Sequence, residues 1–150
     1  MVRGRSDGFT VIELLLVAGL ISVLAAATVP SIIQGMRRYA LLTASQQVAS
    51  TIRTARYQAV GKNRTLRVRF DYPSDGQYQI LDDADADVIS PARLLMNGAA
   101  FGAVSGDLEI DPQGRVTALA GALPATIVVS GADTATRTIS VSRSGRVELP

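Results

Sequence analysis

Few side chains in this sequence are suited to covalent or metal chemistry. Neither cysteine nor histidine occurs among the 150 residues, which removes disulfides, thiol nucleophiles, imidazole ligands and the Ser-His-Asp and Cys-His constellations. Three features remain. Glu13 stands at the edge of a long apolar run, Asp82-Asp83-Ala84-Asp85-Ala86-Asp87 gathers acidic side chains, and Arg137, Arg143 and Arg146 lie near the C-terminus. The acidic segment invites a calcium-loop reading. Aligned on Asp83, however, the EF-hand pattern needs glycine where Val88 stands and glutamate where Leu94 stands. A solvated acidic loop without metal is therefore expected. The three arginines could contact phosphates, although no aromatic side chain lies near them for base stacking and Glu148 is two residues from Arg146. A charged edge strand is the simpler reading. Neither a Gly-rich phosphate loop nor a Gly-x-Ser-x-Gly elbow is present, so no enzyme and no cofactor is expected.

The elements that must position these residues follow from charge and periodicity. The net charge is only +2, but the charges are segregated. Residues 14–36 carry no charged side chain; as a helix they would span about 35 Å, enough to cross a bilayer core of roughly 30 Å. Residues 37–69 then carry Arg37, Arg38, Arg53, Arg56, Lys62, Arg64, Arg67 and Arg69 with no acidic residue, and residues 71–87 carry six aspartates with nothing basic. The basic run could meet anionic lipid head groups or the acidic loop of a neighbouring molecule.

Leu41, Ala44, Val48, Ile52, Ala55 and Ala59 recur at steps of three and four, the apolar face of a helix over 37–61 that ends near Gly61. Gln46, Gln47, Arg53 and Arg56 are expected on its wet face. From Thr65 the period becomes two, with Leu66, Val68 and Phe70 alternating with Arg67 and Arg69. Further strands are expected at 78–81, 108–110, 116–119, 126–129, 138–141 and 146–149, with turn chemistry at Asp111-Pro112-Gln113-Gly114 and Ser142-Arg143-Ser144-Gly145. One long helix followed by seven short strands predicts an α+β fold with mainly antiparallel sheets.

The N-terminus admits three readings. Arg3, Arg5 and Ala25-Ala26-Ala27 fit a secretory signal peptide, but Glu13 borders the apolar run and the helical stripe resumes beyond Pro30. A plain membrane anchor leaves Glu13 without a role, where a carboxylate at a helix centre costs about 2.5–3.5 kcal/mol. The third reading comes from Gly8-Phe9-Thr10-Val11-Ile12-Glu13 itself, which closely resembles the type III signal of type IV pilins and type II secretion pseudopilins. The resemblance implies cleavage between Gly8 and Phe9 by a prepilin peptidase, N-methylation of Phe9, and pairing of Glu13 with the new amino group of a neighbouring subunit. Pro30 is expected to kink or loosen the helix.

Arg37 and Arg38 match Arg3 and Arg5 in number, so the positive-inside rule is indecisive. The resemblance implies a leader of residues 1–8 in the cytoplasm, residues 9–36 in the bacterial inner membrane, and a periplasmic domain of residues 37–150, with its β region at 65–150.

The segments 108–116, 125–130 and 138–147, with their two Gly-Arg-Val turns, resemble the C-terminal β region of the GspH/FimT family. This implies a type IV pilin-like fold with the long helix packed on two antiparallel sheets. It also implies an H-type minor pseudopilin of type II secretion, standing near the filament tip and helping to initiate it with other minor and major pilins. The alternative is a FimT/FimU-like minor pilin of a type IV pilus that binds DNA for uptake, with Arg137, Arg143 and Arg146 as its contacts.

Overall fold

The computed structural model describes residues 9–83, 87–96, 98–104 and 106–149. Gly8, the leader and Asp85 thus lie outside the described residues. Contacts divide the chain into two compact units, Met1–Met36 and Arg37–Pro150, and helix α1 (Val11–Lys62) contributes to both.

In the first unit every described residue is exposed, including Phe9, Leu14, Leu15, Leu16, Leu20, Ile21 and Leu24. Such a surface is long and apolar enough to cross a membrane. Its polar side chains are satisfied along the helix, Ser22 Oγ donating to the Ala18 carbonyl and Thr28 Oγ1 to the Leu24 carbonyl, both at 2.8 Å. The helix runs through Pro30.

In the second unit the stripe of Leu41, Ala44, Val48, Ile52, Ala55 and Ala59 is buried, as its spacing requires. Four of these six are alanine or valine, so the strands approach α1 closely. The helix ends one residue later than expected from Gly61. Asn63 adopts a left-handed backbone (φ 51°) while Arg64 N–H donates to the Ala59 carbonyl at 3.1 Å and Asn63 N–H to the Val60 carbonyl at 3.3 Å, a Schellman closure in which asparagine takes the usual place of glycine.

One sheet holds β1 (Leu66–Phe70), β2 (Gln77–Asp82), β3 (Arg93–Leu94), β5 (Leu108–Ile110) and β6 (Val116–Ala118) in the order β3-β2-β1-β5-β6. The other holds β4 (Ala100–Val104), β7 (Ala125–Ser130), β8 (Thr136–Val141) and β9 (Val147–Glu148) in the order β4-β7-β8-β9. Every pairing is antiparallel. Leu66, Val68 and Phe70 point inward from β1, and Ile127, Val129, Ile139 and Val141 from the second sheet, all joining α1 in one core. Phe101 of β4 packs edge-on against Phe70 and Tyr78 of the first sheet, with ring centroids 5.4 and 6.0 Å apart. Strands β3 and β4 were not expected from periodicity.

Candidate functional site

Phe9 and Thr10 immediately precede α1, and Phe9 is exposed. Thr10 caps the helix: its Oγ1 accepts from the Glu13 N–H at 3.3 Å, and its carbonyl accepts from Glu13 N–H and Leu14 N–H, each at 3.2 Å. Thr10-Val11-Ile12-Glu13 therefore has the spacing of a capping box, which places the Glu13 carboxylate in the first turn where the helix dipole favours negative charge. This local job for Glu13 was readable in the sequence but hidden by its larger resemblance. Pro30 lies inside the helix, where it removes the donor that the Ala26 carbonyl would otherwise use.

The second feature is a pair of matching turns. In residues 111–116, Asp111 N–H donates to the Arg115 carbonyl (3.0 Å), Gly114 N–H to the Asp111 carbonyl (2.9 Å), and Arg115 N–H to Asp111 Oδ1 (2.8 Å). Residues 142–147 repeat the pattern, with Ser142 in place of Asp111: Ser142 N–H to the Arg146 carbonyl (3.0 Å), Gly145 N–H to the Ser142 carbonyl (2.9 Å), and Arg146 N–H to Ser142 Oγ (3.2 Å). Gly114 and Gly145 both have positive φ, 77° and 76°. The first turn belongs to one sheet and the second to the other, yet they meet. Val116 N–H donates to the Arg143 carbonyl at 2.8 Å.

Both turns converge on α1. Arg56 Nε donates to the Gly114 carbonyl at 3.0 Å, and Arg53 Nη2 donates to the Val147 carbonyl at 3.3 Å. A Cβ at Gly145 would sit 2.7 Å from Arg56 Cδ and 2.8 Å from the Gly114 oxygen. Arg53 lies on the exposed face as expected and Arg56 is half-buried there, and the long side chains of both also reach along the domain to carbonyls at strand ends. Only the doubled Gly-Arg-Val motif hinted at this arrangement.

Arg143 and Arg146 line a groove of about 500 Å³ together with Leu123, Pro124, Ser140, Ser142 and Glu148. Arg146 pairs with Glu148 at 3.0 Å. Arg137 faces Val129 near the start of β8, while Val141 at its end faces Val147 beside the hairpin. Those four residues amount to about 13 Å of strand, so the three arginines are not one cluster. β9 is an edge strand.

The segregated charges pair within the chain. Arg64 meets the buried Asp82 at 3.0 Å, Arg69 meets Asp107 at 3.1 Å, and Arg67 pairs with Asp83. Arg37 pairs with Asp133. Among the described residues no three acidic side chains are placed to hold a metal ion. Burial alone would raise the Asp111 carboxyl pKa, but hydrogen bonds from the Arg115 N–H and guanidinium, the charge of Arg115, and the Gln113 N–H outweigh it and hold the group below its ordinary value. Burial raises the Tyr78 phenol, opposed by nearby Thr51 and by the charge of Arg93. Thr51 Oγ1 already donates to the Gln47 carbonyl, and Tyr78 Oη has no partner in hydrogen-bond geometry.

A family model described as type II transport protein GspH matches residues 44–145. Two solved structures share the fold. The type IV minor pilin FimU of Pseudomonas aeruginosa is 18% identical with a TM-score of 0.58, over 75% of this chain and 90% of that one. The minor pseudopilin EpsH from the Type 2 Secretion System of Vibrio cholerae is 15% identical with a TM-score of 0.56, over 73% of this chain and 95% of that one. No curated protein matches the chain in sequence. With the family model covering residues 44–145, more than half of the chain and most of the core, the chain belongs to the GspH family of minor pilins and pseudopilins.

Proposed function

We propose that this chain is an H-type minor pseudopilin of a type II secretion system. It is cut between Gly8 and Phe9 by a prepilin peptidase, N-methylated on Phe9, held in the inner membrane by residues 9–36, and built with other pilins into the tip of a pseudopilus, its domain in the periplasm. The observation that carries this reading is the exposed apolar helix that starts at Val11, two residues after Phe9, and leads into a GspH-type domain. An apolar surface of that size has no stable place in water and suits lipid first, then the helices of neighbouring subunits.

Glu13 of one subunit would meet the Phe9 amino group of the next. Each offsets the other's desolvation, so the pair selects one axial register rather than adding much stability. The family match is common to secretion and pilus subunits, so the choice between them is put to the test by deleting the gene. Secreted proteins should accumulate in the periplasm, with pilus-driven motility and DNA uptake unchanged; the reverse pattern would make the chain a minor pilin.

A further inference from the structure

The fold gathers charge that the sequence scatters. The two glycine turns and one stretch of α1 bring Arg53, Arg56, Arg115, Arg143 and Arg146 to the same end of the domain, through the Arg56–Gly114, Arg53–Val147 and Val116–Arg143 hydrogen bonds. Asp111 neutralises Arg115 and Glu148 neutralises Arg146. Five cations against two anions leave three in surplus. Arg143 is exposed, and Arg146 keeps 77% of its side chain in solvent. Beside them Leu123 and Pro124 form an apolar wall and Ser140 and Ser142 supply hydroxyls.

We propose that this end of the domain docks an acidic protein segment, a loop bearing carboxylates and apolar side chains on a neighbouring filament subunit. A bidentate guanidinium fits a carboxylate, and the apolar wall takes what lies between the charges. Two features favour protein over nucleic acid. Asp111 and Glu148 interrupt the positive surface and would face a continuous line of phosphates, and Arg137, at the far end of β8, does not extend the footprint along a duplex. This proposal rests on the filament reading but is tested on the isolated protein, so its failure leaves that reading standing.

The probe is fluorescent poly-L-glutamate, titrated into the full chain in neutral detergent and followed by anisotropy. A duplex DNA and phosphatidylglycerol vesicles serve as the competing classes. The parent should bind polyglutamate with an affinity that falls as salt rises. Arg143→Gln with Arg146→Gln should weaken it about tenfold, as loss of two charge contacts implies, and Arg38→Gln with Lys62→Gln, which removes the same charge elsewhere, should leave it unchanged. An equal loss in both double variants would overturn the proposal, as would absence of binding or tighter binding to DNA or to vesicles.

Discussion

Glu13 sits in the first turn of α1, and the proposed function gives its charge a second job that a single atom separates from the first. As the last member of Thr10-Val11-Ile12-Glu13 it completes a helix start whose first bond, Glu13 N–H to Thr10 Oγ1, uses only the Glu13 backbone and so survives a change of its side chain to any residue but proline. As a charge it would hold a neighbour's Phe9 amino group. Glu13→Gln keeps the length and polarity that capping uses and removes only the charge. Cleavage and membrane insertion should be normal in that variant while co-assembly with other pilins, read by cross-linking in membranes, drops severalfold; assembly at the parental level would reduce Glu13 to a capping residue. Tyr78 shows the opposite situation, a hydroxyl without a task. It is fully buried with no hydrogen-bond partner for Oη, so Tyr78→Phe should melt within about 1 kcal/mol of the parent, on the stable side. Its raised pKa means that folding favours the neutral phenol. That contribution is complete below the unfolded value of about 10 and is lost as pH rises beyond it, so Tyr78→Phe should also blunt alkaline unfolding.

Among the elements, the paired turns are what fasten the two sheets to α1 at one end of the domain. Gly145 has a left-handed φ of 76° and no room for a Cβ against Arg56 and Gly114. Gly145→Ala should therefore cost about 2–4 kcal/mol, combining the backbone penalty with overpacking. Gly61→Ala, which meets nothing within 4 Å and lies in the helix, should be neutral or slightly stabilising. Thermal melts of both variants check the contrast. At the other turn, the depressed pKa of Asp111 is a contribution present above about pH 4 and lost as pH falls through the folded value.

Much of this scale was legible in advance. The three-and-four steps from Leu41 to Ala59 and the alternation from Leu66 to Phe70 are local patterns, set by which face is buried. The parts that were hidden depend on distant residues. Ala100-Phe101-Gly102-Ala103-Val104 has little strand propensity and a register shift between Phe101 and Val104, and it becomes β4 only by pairing with β7. Arg53 and Arg56 read as a wet face because nothing within a helical turn shows that two turns, 58 and 94 residues away along the chain, will present carbonyls to them.

At the scale of the molecule, the chain joins an apolar helical segment with no core of its own to a domain whose core is complete. Among the described residues, all the buried hydrophobic ones lie within residues 37–150. That fragment should be soluble and melt cooperatively, and it serves for the stability measurements above. On the proposed function, residues 9–36 find their partners in lipid and in a filament, and cleavage between Gly8 and Phe9 joins the two halves in one maturation pathway. Membrane-extracted protein, analysed by intact mass, tests that pathway most directly. The expected species begins with N-methylated Phe9 and retains the whole apolar helix; a mature protein beginning near Thr28, or one that keeps Met1 to Gly8 in cells with an active prepilin peptidase, would contradict it.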